Sequence, residues 1–190
     1  MPCHTTGLTT CRCSKFNKCT TTHETNPLVR KLFSDHSWFT VEYMTAYLYS
    51  LPSSQALKKR LLDNQVEIGH ELGKFPKVGA SNGIAIGKLI TQHIVLADKV
   101  LQSAKASKPL DKPVGALYQQ GTHLAKTLAS VLHVKALDLV VEFHTHNSHV
   151  INLATLLLKG QTGKKYIKEL DRYINHMLHL ADIIYTAIVR

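Results

Sequence analysis

The chain has 190 residues, enough for one sizeable core and without need of a second, and 44% of them are hydrophobic and 7% aromatic. No apolar run approaches the roughly 20 residues that span a bilayer, and the start MPCHTTGLTTCRCSKFNKC lacks the apolar segment of a secretory signal, so a soluble, intracellular protein without a membrane partner is expected. Its 23 Lys and Arg outweigh 13 Asp and Glu for a net charge of +10, which points to an acidic partner: nucleic acid first, acidic protein surfaces and anionic lipid on the same arithmetic.

Eighteen of the basic residues are Lys and five are Arg, a balance that suits diffuse phosphate attraction better than bidentate reading of bases.

Residues 1–26 form a compositional zone rich in Thr and Cys and without a hydrophobic period, read as an irregular tail. All four cysteines, Cys3, Cys11, Cys13 and Cys19, lie there. Four thiols within 17 positions could hold a zinc ion, although their spacing lacks the paired Cys-x2-Cys knuckles of common zinc modules. Disulfides would require an oxidising setting, and reduced thiols on a disordered tail are the plain alternative.

The body, residues 27–190, starts at TNPLVRKL, where Thr25 or Asn26 can cap a helix whose first residue is Pro27. Six helical segments follow, separated by SLPSS near 50, GKFPKVGASNG at 73–83, SKPLDKPVG at 107–115, a junction near His133, and KGQTGKK at 159–165. The fourth and fifth segments could also be one kinked helix. No window alternates between apolar and polar residues, so the fold expected is all-α: a single antiparallel bundle of about six helices behind an irregular N-terminal tail.

Read at spacings of three and four, five of the six stripes place a polar group amid apolar ones. The first runs Val29, Leu32, His36, Phe39, Tyr43; the second Leu57, Leu61, Asn64, Ile68, Leu72; the third Ile86, Leu89, His93, Leu96, Val100. The fifth runs Leu139, Glu142, His146, His149, Leu153, Leu156, and the sixth Tyr173, His176, Leu180, Ile183, Ala187. The fourth, with Leu117, Leu124, Leu128 and Val131, carries none. Buried polar groups need partners, and convergence on one another or on an ion supplies them. His36, His93, Glu142, His146, His149 and His176 are therefore candidate ligands for a transition metal, zinc or iron first, against the plain alternative of satisfied core histidines.

Other chemistries are poorly served. Glu67-Ile-Gly-His70 is a single Glu-x-x-His pair where a carboxylate-bridged di-iron centre needs two. His179 and Asp182 share a stripe with Arg172, Asn175 and Thr186 that reads as a solvated face. No Gly-x-Ser-x-Gly or phosphate-cradling Gly-x-x-x-x-Gly-Lys loop occurs.

In the order HSWFT (His36–Thr40), LLDNQVEIG (Leu61–Gly69), LITQHI (Leu89–Ile94), His146 ahead of LKG, and INHMLHLAD (Ile174–Asp182), the body resembles a family of small uncharacterised helical proteins of spore-forming bacteria. Some of these carry an "acetylglutamate kinase" label that their sequences do not support. The resemblance places the family's polar positions on His36, Asn64, Gln65, His93, His146, His176 and Asp182, and implies a shared interior site without naming its function. This chain departs from it at Val41, Leu117 and Gln120. The Cys-rich tail and basic balance resemble the form of the domain found in large DNA viruses with amoebal hosts, which implies a virion and host-cytoplasm setting.

Two functions follow as expectations. The first is a non-enzymatic structural or binding protein whose positive surface engages nucleic acid or an acidic partner around a polar seam. The alternative is a metal-dependent enzyme or sensor using the histidines inside the bundle. A homodimer is compatible with both.

Overall fold

A computed structural model describes residues 25–190; the cysteines of the zinc expectation lie outside the described residues. Helix α1 spans Pro27–Leu48, α2 Ser54–Gly73, α3 Ala80–Lys105, α4 Asp111–Leu132, α5 Ala136–Leu158 and α6 Lys164–Val189. Among the described residues every regular element is a helix. Each packs on its neighbour in sequence and α1 packs on α6, so the six form a closed ring around one interior.

The ends follow from local chemistry. Asn26 Oδ1 accepts the amides of Leu28 and Val29 at 2.9 and 3.1 Å, two of the donors that a helix start leaves without partners. His133 is left-handed at φ 54°, and the Val134 amide closes the last turn of α4 on Ala129 O at 3.1 Å. That turn makes α4 and α5 separate helices. Two connections are shorter than the sequence suggests, because Ala80–Gly83 already belongs to α3 and Asp111–Gly115 to α4. Gly79, at φ 73°, turns the chain directly into α3, and Pro113 sits in the first turn of α4, where its missing N–H has no partner to lose.

α2 and α3 touch backbone to backbone. A Cβ on Gly69 would lie 2.5 Å from Gly83 O, and one on Gly83 would lie 2.5 Å from Gly69 O and from Gly73 Cα. Lys58 meets Asp98, Gly69 meets Gly83 and Gly87, and Gly73 meets Ala80, so numbers rising along α2 meet numbers falling along α3. At the seam between first and last helices Arg30 pairs with Asp182 at 2.7 Å, and from the α2–α3 connection Lys77 donates to Ala187 O on α6 at 2.7 Å.

Leu124, Leu153, Ile86 and Tyr173 are fully enclosed in the apolar core. Burial of side chains of this size is worth about 1.5–3 kcal/mol each, and this is what holds the polar groups below in fixed positions.

Candidate functional site

His146 stands at the middle of a cluster that every helix of the ring helps to build. Its ring centroid lies 5.8 Å from that of His36 on α1, 5.9 Å from His93 on α3, and 5.7 and 6.4 Å from Tyr173 and His176 on α6. His149, one turn further along α5, lies 5.5 Å from His176. α2 contributes Gln65 and α4 contributes Gln120. His36, His93 and His146 are buried, as are Asn64, Gln65 and Asn147.

The network assigns the ring protons. Gln120 Nε2 donates to Leu89 O at 2.8 Å, so its Oε1, 3.0 Å from His93 Nδ1, accepts from that nitrogen. His93 therefore carries its proton on Nδ1 and leaves Nε2 as a lone pair. Gln65 is oriented the other way: Nε2 donates to Leu61 O at 2.6 Å and to His36 Nδ1 at 3.0 Å, which puts the His36 proton on Nε2. His149 Nδ1 faces Glu169 Oε1 at 2.7 Å, and Asn152 and Arg172 hold the same carboxylate. His176 Nδ1 stands 3.6 Å from Glu142 Oε2. An oxygen behind Nδ1 is how proteins usually orient imidazoles for metals; His93, His149 and His176 have one, and His36 does not.

Five buried atoms of this cluster have no hydrogen-bond partner among the described residues: His146 Nδ1, His176 Nε2, Gln65 Oε1, Asn147 Nδ2 and the Tyr173 hydroxyl. A cavity of about 30 Å³, walled mostly by apolar side chains, has His36, Gln65, His93 and His146 in its lining. One water needs roughly 10–15 Å³, so the space suits a water or a small ion.

Burial keeps the rings neutral. Desolvation, with repulsion from His93 added, lowers His36 to about 4 against the hydrogen bond from Gln65. Desolvation also lowers His93 to about 4, opposed by Gln120 and Asn147. His146 falls well below the ordinary imidazole value, first by burial and then by the four histidines around it. His176 drops to about 4 through burial and His149. For Glu169, burial pushes upward, but the bonds from His149, Asn152 and Arg172 prevail and hold it below the usual carboxylate range. The centre is a set of neutral nitrogen donors, which is the form that metals bind.

The other expected residues have distinct places. Asn64 donates to Leu32 O at 3.1 Å and ties α2 to α1. Asp182 is not on a solvated face: α1 packs over it, its side chain is 15% exposed, and it pairs with Arg30. Thr186, on the same stripe, is buried too. Glu142 is part-exposed at the rim. His144 turns to α4, 2.9 Å from Thr122 Oγ1 and edge-on to Tyr118.

The stripes missed several groups. Gln120 lies on the helix whose stripe carried no polar group; it reaches His93 from the flank of α4. Gly121, beside it, makes room: a Cβ there would lie 3.1 Å from Asn147 Nδ2 and 3.6 Å from His93 Cε1. Glu169 and Asn147 flank the stripes of their own helices. Asp98, buried, accepts from the Tyr43 hydroxyl and, at 2.6 Å, from Lys58. The signal in the sequence for Gln120 is its place among the positions where the chain departs from the family it resembles.

Among the described residues, no three His, Cys, Asp or Glu groups already converge on one metal-sized point. Zn–N bonds near 2 Å would bring two rings on one zinc to about 5 Å between centroids, so the 5.8 and 5.9 Å separations must close by somewhat less than an ångström. The donor chemistry fits a borderline cation, and the unpartnered His146 nitrogen beside a cavity fits one too. Compared with family models, with curated proteins and with solved structures, the chain matches none.

Proposed function

We propose that this protein is a metal-binding helical bundle, which takes a transition-metal ion of the zinc or iron class at the cavity lined by His36, His93 and His146, with His93 and His146 as the ligating rings and His36, whose Nδ1 lone pair Gln65 occupies, joining them only on release of that bond. His176 and Glu142 lie behind that position and His149 at its edge, as further donors or as supports for the ring orientations. The observation that carries the reading is the unpartnered, buried Nδ1 of His146 beside a cavity of about 30 Å³. An orphaned nitrogen in a core normally costs about 1–3 kcal/mol, and a bound cation removes that cost. The reading is one of binding; no reacting group is assigned.

The test is metal content and zinc titration of the full chain with Cys3, Cys11, Cys13 and Cys19 changed to Ser, which silences the tail thiols. The reading expects about one ion per chain, and its loss in a folded His146→Ala variant. A cysteine-free chain that stays metal-free and takes up no zinc would end it.

A second reading rests on charge. The ammonium groups of Lys108, Lys112, Lys159, Lys164 and Lys165, in or beside the α3–α4 and α5–α6 connections, make no hydrogen bond or salt bridge among the described residues. They support a surface for nucleic acid. Such binding would fall steeply between low and moderate salt and would be indifferent to His146→Ala; salt-independent or absent retention on DNA would exclude it.

A further inference from the structure

A second cavity shares no lining residue with the one at the histidine centre. It measures about 80 Å³ and its wall is almost wholly apolar, with Met44, Leu101, Leu117, Ile151, Ala154 and Leu158 among its residues. The carboxylate in the wall is spoken for. Asp98 Oδ1 takes the Tyr43 hydroxyl, and Oδ2 takes Lys58 Nζ at 2.6 Å and Gln102 Nε2 at 2.8 Å. A cationic ligand finds no free carboxylate there, and the unpartnered polar atom in the wall is the neutral Thr40 hydroxyl.

The lining residues nearest the connections are exposed, Leu110 at 37% and Leu158 at 43%. Lys108 and Lys112 lie two residues either side of Leu110, and Lys159 follows Leu158. None of the three ammonium groups has a hydrogen bond or salt bridge among the described residues. Lys105 is committed to Tyr47 O and Ser50 Oγ and fixes the neighbouring end of α1. Asp111 is the single acid in this stretch of α3–α4 connection and α4 start, 105–112. An apolar cavity edged by unpaired ammonium groups is complementary to an amphipath with an anionic head. Its width points to a slender tail: about half the roughly 150 Å³ that accommodates benzene in a dry cavity, yet several times the space of one water.

We propose that this cavity binds a straight-chain carboxylate, tail between α1, α3 and α5 and head at Lys108 and Lys159. The ligand class is a short or medium-chain fatty acid anion, and the site is independent of any metal.

Calorimetric titration of the full chain with butanoate, hexanoate, octanoate and octylammonium tests it. Saturable octanoate binding is expected, with affinity rising about threefold to fourfold per added methylene along the series and octylammonium weaker by about tenfold or more. Ala154→Leu, which fills the cavity, should abolish octanoate binding. The surface pair Lys108→Glu with Lys159→Glu should weaken it by about fivefold or more, and it decides the matter if Ala154→Leu does not fold. The proposal is overturned by absent octanoate binding, by octylammonium binding as well as octanoate, or by the lysine pair leaving the affinity unchanged.

Discussion

Gln120 sets the proton of His93. Its amide nitrogen is held by Leu89 O at 2.8 Å, so the oxygen 3.0 Å from His93 Nδ1 has to accept, and the His93 lone pair is kept on Nε2, with Asn147 as the ring's other polar side-chain neighbour. Gln120→Leu removes that constraint and leaves Leu89 O and His93 Nδ1 without their partner. Supports of this kind are worth about 10- to 100-fold in metal affinity, so zinc should bind that much more weakly to the variant. Imidazole nitrogen shifts in the metal-free protein should show a change in the His93 tautomer mixture. Unchanged shifts and unchanged affinity would refute the assignment.

Acid should unfold the bundle through its histidines. In the unfolded chain an imidazole protonates as pH falls through about 6.5, whereas His36, His93 and His176 are held at about 4 and burial keeps His146 well below the ordinary value. The unfolded state thus binds more protons below pH 6.5, and stability declines as pH drops from there toward 4. His36 and His93 should each cost about 3 kcal/mol by pH 4. Glu169, whose depressed carboxyl stabilises only while ionised, adds a loss of the same sign at lower pH. Denaturant curves taken from pH 7.5 to 4.5 check this, and a flat profile would contradict it.

The contact between α2 and α3 should tolerate no side chain. Gly83→Ala puts a methyl 2.5 Å from Gly69 O and Gly73 Cα, both backbone atoms, and should cost about 2 kcal/mol or more. Gly115→Ala is the control: nothing lies within 4 Å of its Cβ position. Within α4 it should stabilise by about 0.5–1 kcal/mol through helix propensity. Thermal melts of the two variants should move in opposite directions.

Breaking the buried Tyr43–Asp98 bond should also be costly. Tyr43→Phe leaves a 5%-exposed carboxylate one donor short, although Lys58 and Gln102 remain. The expected loss is about 1–3 kcal/mol, read from denaturant midpoints against Tyr47→Phe.

Much of the fold can be read from local sequence signals. Asn26–Pro27 starts α1 and the breakers near 50 and 160 end helices, because each acts through its own backbone. The separation of α4 from α5 depends on His133 adopting a left-handed conformation that the sequence leaves open. Periodicity also placed His36, His93 and His146 on inward stripes, since burial faces repeat with the helix. It could not find Gln120, Glu169 or the Gly69–Gly83 contact. Each depends on which helix stands opposite, and a stripe read on one helix carries no information about its partner. Asp182 was misread for the same reason: its stripe is polar, yet α1 covers it.

The central claim is that the His146 nitrogen at the middle of the cluster accepts a metal. Imidazole nitrogen spectra of the cysteine-free chain, recorded through a zinc titration at pH 7.5, test it most directly. The account predicts that the His146 and His93 resonances move to metal-bound positions together and saturate at about one zinc per chain. Zinc perturbing only exposed histidines such as His70 and His123, with His146 unmoved, would contradict it.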